Sequence, residues 1–155
     1  MAERQHGRQL PIGYWLKRID ALLTEQSDAA LAGRGFTRLR WQLLNTVAEA
    51  GTASREQIHD ILNPFASAEE LDRLAAGLVS DGLFAAASDG ERLSITEAGK
   101  AEHGRLLELQ QTVRTRAFAG ISPEEYATTM DVLQRVARNL SEPPAPDSAE
   151  RSQAP

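Results

Sequence analysis

Apolar residues recur at every third or fourth position through most of this chain, which is the spacing of one face of an α-helix. From Ile12 the series runs through Trp15, Leu16, Ile19, Leu22 and Leu23. It predicts a long first helix with a broad apolar face that needs a partner, either another helix of the chain or a second copy. The Gly33-Arg34-Gly35 break ends it, and a second helix is predicted from Phe36, with Leu39, Trp41, Leu43, Leu44 and Val47 as its apolar positions. Ser54 followed by Gln57 has the spacing of a capping box ahead of Ile58, Ile61 and Leu62, a third helix that Pro64 interrupts. Ser67 and Glu70 repeat that arithmetic before Leu71, Leu74, Ala75, Leu78 and Val79, the stripe of a fourth helix that Gly82 ends.

The period then changes. Leu83-Phe84-Ala85-Ala86-Ala87 and Arg92-Leu93-Ser94-Ile95 flank the turn signal Asp89-Gly90 and predict a small antiparallel hairpin. Thr96 is placed to cap a fifth helix through about Ala119, with Leu106, Leu107, Leu109, Val113 and Phe118 as its contacts. After Gly120 and Ile121, a sixth helix is predicted with Ser122 as cap, Pro123 first and Glu125 as reciprocal partner. Met130, Leu133, Val136, Ala137 and Leu140 form its stripe. The expected class is mainly α, six helices with a small two-stranded β wing and dimerisation helices from both termini. Its predicted divisions are a flexible N-terminus over 1–9, a regulator domain over 10–140 with a winged core over 36–96, and a disordered tail over 141–155, whose Pro-rich polar composition supports no packed core.

Composition agrees with helices. Of 155 residues 41% are hydrophobic but only 5% aromatic, so the core is built from Leu, Ala, Ile and Val. With no Cys, thiol nucleophiles and cysteine metal clusters are excluded. No run approaches the length of a membrane span, and the polar start has no signal-like stretch, so a cytoplasmic protein without a membrane partner is expected. No G-x-S-x-G, H-E-x-x-H or P-loop pattern occurs, and an enzyme is not expected; neither is a cofactor. His6, His59 and His103 lack zinc-site spacing, so no metal site is expected, and capping, surface or packing roles suit them better.

Three helices followed by a hairpin have the order of a winged helix-turn-helix, whose partner is double-stranded DNA. The fourth helix would enter the major groove, and the wing would hold Arg92 against phosphates. Two segments carry a family resemblance: Leu74-Ala75-Ala76-Gly77-Leu78-Val79-Ser80-Asp81-Gly82-Leu83-Phe84 and, after the wing, Leu93-Ser94-Ile95-Thr96-Glu97-Ala98-Gly99. In their order and spacing they resemble the MarR family of bacterial transcriptional regulators over roughly residues 10 to 140. The resemblance implies a homodimer formed by the first, fifth and sixth helices, a pseudo-palindromic operator, and a small amphipathic or phenolic effector between the dimerisation helices and the winged domain. It also implies a repressor more than an activator. The positions that face bases and phosphates in the family hold Glu69, Glu70, Asp72 and Arg73 here, Gly77 stands where a further Arg is frequent, and the usual wing signature is reduced to Asp89-Gly90-Glu91-Arg92.

The candidate DNA contacts are Arg73, Arg92, Arg55, Ser54, Ser67, Thr52, Glu69 and Glu70. Each has a plainer role beside it. Arg73 has Glu69 one helical turn earlier, Arg92 has Asp89 and Glu91, and Ser54 and Ser67 are explained as helix caps. Arg55 starts the third helix, where phosphate also meets free backbone donors. Trp15, Trp41 and Tyr14 are candidate walls of the effector site, although such residues are more often core or dimer contacts. Residues 36–96 contain five arginines against nine carboxylates, a net charge of −4. That deficit opposes DNA and keeps a second reading open: a winged-helix dimer with weakened or lost DNA binding that acts through protein–protein contact.

Overall fold

A computed structural model describes residues 10–142; the N-terminal segment and most of the tail, 143–155, lie outside the described residues. Contacts divide the chain into two compact units between Ala117 and Phe118. The first holds α1 (Ile12–Leu31), a 3-10 turn (Ala32–Arg34), α2 (Arg38–Ala50), β1 (Thr52–Ser54), α3 (Arg55–Leu62), α4 (Ala68–Ser80), β2 (Phe84–Ala86), β3 (Arg92–Ile95) and α5 (Glu97–Ala117). The second holds α6 (Pro123–Ser141).

Local chemistry sets most boundaries. Ser54 Oγ accepts from Gln57 N (3.1 Å) while Ser54 N donates to Gln57 Oε1 (2.9 Å), a complete capping box. Ser122 and Glu125 make the same pair of bonds at α6. At α4 Ser67 Oγ accepts from Glu70 N (3.2 Å), which is one half of the motif. The helix ends in a Schellman arrangement, with Gly82 N donating to Val79 O (3.0 Å), Leu83 N to Leu78 O (2.9 Å), and Gly82 at φ +75°. Two expected ends shift. α2 begins at Arg38, not Phe36, because Thr37 Oγ1 caps Arg40 N; Phe36 sits just outside the cap, buried with Trp41 in the positions of a hydrophobic staple. α5 stops at Ala117, ahead of the turn at Gly120 (φ +79°).

The two-stranded hairpin is present, and a third strand joins it. Three strands pair in the order β1-β3-β2, all antiparallel. Three residues carry no readable alternation, so β1 is visible only through its partner: Ala53 lies opposite Leu93, and both are buried. Side chains alternate across this sheet. Leu93, Ala53 and Phe84 face the core, whereas Thr52, Ser54, Arg92 and Ser94 lie on the other face, where Thr52 Oγ1 and Ser94 Oγ are 3.1 Å apart.

Leu43, Leu44 and Val47 of α2 form the centre of the core with Leu71 and Leu78 of α4, Leu93 of β3 and Leu106 of α5. α1 joins it only through its last turns, since Ser27 and Leu31 are its buried residues and Ile12, Trp15, Leu16, Ile19 and Leu22 stay exposed. Arg34 grips Glu102 of α5 through Nε (2.5 Å) and Nη2 (2.6 Å). Those bonds, opposed by burial and aided by Arg105, hold the Glu102 carboxyl below its ordinary range.

α5 starts hard against the loop that leaves α4. Thr96 Oγ1 accepts from Gly99 N (3.0 Å) and donates toward Gly82 O (2.7 Å) and Leu83 O (3.1 Å). A Cβ at Gly99 would lie 2.2 Å from Leu83 O and 2.8 Å from Ile95 Cγ1, so a backbone carbonyl would have to move. Gly99→Ala is expected to destabilise by about 1–3 kcal/mol despite its better helix propensity. Urea unfolding checks this, and an unchanged midpoint would show that α5 moves off the loop freely.

Candidate nucleic-acid interface

The exposed face of α4 is read from its burial pattern. Leu71, Ala75 and Leu78 turn inward, leaving Glu69, Arg73, Ala76, Gly77 and Ser80 along the outward stripe. Glu69 and Glu70 occupy the first turn, where carboxylates suit the positive end of the helix dipole. Arg73 is 71% exposed and lies 3.6 Å from Glu69, 89% exposed, one turn before it. Such a pair contributes little and yields readily to another anion. Ala76, Gly77 and Ser80 complete the stripe; Gly77 was already marked by the family resemblance, whereas only the burial pattern singles out Ala76 and Ser80.

Of the eight candidate contacts, four gather at the wing. Arg92 lies opposite Ser54 in the ladder, Thr52 is two residues along the same face, and Arg55 follows Ser54. Arg92 has no ion pair among the described residues. Ser67, Glu69, Glu70 and Arg73 lie together on the first half of α4.

The other three arginines of the winged core are bound into its framework. Arg38 Nη1 donates to Asp20 Oδ1 (2.7 Å) and Thr24 Oγ1 (2.7 Å) of α1. Arg40 pairs with Asp81, donates to Gly35 O (3.0 Å), and lies 4.5 Å over the Phe36 ring. Arg55 donates from Nε to Gly90 O (2.8 Å) in the wing turn and from Nη1 to Asp72 Oδ1 (2.8 Å) on α4. His59 Nε2 is 3.0 Å from the same Asp72 oxygen, and since a carboxylate only accepts, that nitrogen carries the proton. Burial opposes the Asp72 charge, but the bonds from His59 and Arg55 outweigh it and hold the carboxyl below its ordinary range. Arg55, a candidate phosphate contact at a helix start, has its side chain engaged on both sides.

The aromatic candidates separate. Tyr14 and Trp15 are about half exposed and meet edge to face at 5.2 Å. Trp41 is 8% exposed and stacks on His103 of α5 at 5.1 Å and 13°, and His103 Nε2 lies 2.8 Å from Asn45 Oδ1. α1 and α5 flank an apolar groove of about 560 Å³ walled by Ile19, Leu22, Leu23 and Val113, with Arg116 and Gln26 at its polar edge. None of the three aromatics lines it. His6 lies outside the described residues.

Helices α3 and α4 beside a three-stranded wing define a winged helix-turn-helix. No protein-family model matches the sequence, and no curated protein matches it. Solved structures do. A MarR-family transcriptional regulator from Silicibacter pomeroyi aligns with a TM-score of 0.71 at 20% identity, over 86% of this chain and 92% of its own. A cysteine-to-serine variant of E. coli MarR complexed with operator DNA gives 0.70 at 18% identity, over 82% and 94%. Bordetella bronchiseptica BpsR, from a structure addressing regulation of its DNA binding by 6-hydroxynicotinic acid, gives 0.70 at 14%, over 84% and 97%. The chain has the fold of MarR-family regulators, as its two sequence motifs implied.

The Trp41–His103 stack makes a pH prediction. Burial lowers the His103 pKa from its ordinary 6.5, with Glu49 pulling the other way. As pH falls, the unfolded chain takes up this proton before the folded one, so stability is lost from about the unfolded value downward to the lowered one. His103→Gln is expected to flatten the decline in unfolding free energy between about pH 7 and 5. Urea titrations across that range measure it, and an unaltered slope would show that the ring titrates as it does in the unfolded chain.

Proposed function

We propose that the protein is a DNA-binding transcriptional regulator of the MarR type, a cytoplasmic homodimeric repressor that sets two winged heads on the half-sites of a pseudo-palindromic operator. One observation carries this reading: an outward stripe on α4 beside a wing whose outer face holds Arg92, in the fold that E. coli MarR has in its operator complex. A helix fits the major groove while a wing reaches the neighbouring backbone. Dimerisation is supported by the apolar positions of α1 that stay exposed and by α6, none of whose residues is buried. A small amphipathic effector is supported by the apolar groove with Arg116 at its edge, and by likeness to BpsR. Operator affinity indifferent to aromatic acids would count against that part.

With three arginines engaged internally, Arg73 and Arg92 are the cations each head has left for phosphate. Four contacts per dimer give a slope of log affinity against log salt of about −3 to −4, shallow for a dimeric reader. Selection of bound genomic DNA followed by anisotropy at several salt concentrations tests this. Arg73→Ala and Arg92→Ala are each expected to weaken binding and to reduce the slope by about 2 per dimer. Unchanged binding in both variants, or no saturable binding at low salt, would remove the reading.

Gly77 offers the converse. Nothing lies within 4 Å of a Cβ there, so Gly77→Arg meets no clash. It is expected to tighten DNA binding about tenfold at low salt, steepen the slope by about 2 and stabilise α4 by about 1 kcal/mol. Tightening with no change in slope would mean that the new side chain does not reach phosphate.

The net −4 of residues 36–96 favours one other reading, a winged-helix dimer that engages a protein partner and has weakened or lost DNA binding. Recovery of a specific protein without DNA enrichment would select it.

A further inference from the structure

Arg55 joins three segments distant in sequence. Its backbone N donates to Glu91 O (3.0 Å) and its Nε to Gly90 O (2.8 Å), both in the turn of the wing. Its Nη1 donates to Asp72 Oδ1 (2.8 Å) on α4, which His59 approaches from α3. Gly90 has φ +74°, a conformation that side-chain-bearing residues rarely adopt and that the turn requires. Among the described residues the turn's other hydrogen bonds are Ala87 N to Arg92 O (2.9 Å), Gly90 N to Ala87 O (2.8 Å) and Glu91 N to Asp89 Oδ1 (2.9 Å), all local. The guanidinium is planar and its donors point in fixed directions, so engaging Gly90 and Asp72 together sets where the turn lies against the helix. Each outward-facing cation of the head adjoins this bridge: Arg73 follows Asp72, and Arg92 follows Glu91.

We propose that Arg55 is a positioning residue of the nucleic-acid interface, which through Asp72 fixes the separation of Arg92 on the wing from Arg73 on the recognition helix. The inference rests on the DNA-binding reading. It reverses an ordinary expectation: removing a carboxylate from a helix that faces DNA normally tightens binding by relieving repulsion. Here Asp72 holds the bridge, so removing its charge loosens the wing.

The experiment uses the full chain with Asp72→Asn and Arg55→Gln, each checked for a cooperative melt. In the DNA-free protein, amide exchange at Ala87 and Gly90 is expected to rise about fivefold or more in both variants while the amides of Leu44 and Leu78 keep their protection. With the genomic fragment recovered by selection, Asp72→Asn is expected to weaken binding about fivefold at unchanged salt slope, because no phosphate contact is lost. Tighter binding by Asp72→Asn overturns the proposal. So does a slope reduced by about 2 per dimer in Arg55→Gln, the signature of a direct phosphate contact. Wing exchange unaltered in both variants overturns it too. If the wild-type chain binds no DNA, the functional reading fails by that result, and wing exchange still decides whether Arg55 and Asp72 hold the turn.

Discussion

The four residues of β3 are the constraint on which the winged unit depends. β1 runs directly into the capped start of α3, and β2 follows the end of α4 after three residues, Asp81 to Leu83. Because β3 pairs with both, one strand fixes the two helices of the helix-turn-helix relative to the wing. Three-residue partners make a weak ladder by themselves, and Leu93, fully buried and paired with Ala53 on one side and Ala86 on the other, supplies the apolar anchor. The same strand decides what faces out. With Leu93 inward, period two obliges Arg92 and Ser94 to point away from the core, and a slip of one residue would bury the arginine. β3 then passes through Thr96 into α5, so α5 is registered to the sheet by the contact that leaves no room for a side chain at Gly99.

Charge is distributed by a second rule. Nine carboxylates in a head of this size repel one another; the arginines at 40 and 55 neutralise two of them where α2 meets the end of α4 and where α3 meets α4 and the wing, and Arg38 pairs with Asp20 where α1 meets α2. Asp20, Asp81 and Asp72 thereby become framework. What remains toward the outside is sparse in cations, with Arg73 and Arg92 against Glu69, Glu70, Asp89 and Glu91. A count of formal charge identifies the deficit correctly but says nothing of which arginines are committed to the interior of the head.

Features fixed by neighbours within four residues were legible in the sequence: both capping boxes, the glycine stop after α4 and the turn at Asp89-Gly90 each follow from local hydrogen bonding. The six-helix order was legible because the apolar period is long and repeated. β1 was not, since three residues hold too little alternation to register and their pairing partner lies about forty positions on. Arg55 illustrates the same limit at the level of a site. Its position at a helix start is a local fact that suggests phosphate, whereas Asp72 and Gly90 are 17 and 35 residues away and only the fold brings them to it. Trp41 shows the ambiguity of a large aromatic on a helix, more often core than ligand wall, whose stacking partner His103 lies on a helix distant in sequence.

Under the proposed function, scarcity of free cations has a consequence for selectivity. Non-specific binding to DNA is supplied essentially by phosphate neutralisation, whereas discrimination among sequences comes from contacts to base edges and from shape. Binding arginines into the framework therefore lowers affinity for any duplex more than it lowers the preference for one sequence over another. Ala76, Gly77 and Ser80 on the outward stripe are small enough to let the helix backbone approach the groove floor closely, and alanine is suited to apolar contact with a thymine methyl. Such a surface reads by fit more than by attraction, and fit requires that wing and helix keep a fixed separation. The arginine that a more basic reader would turn toward phosphate holds that separation here.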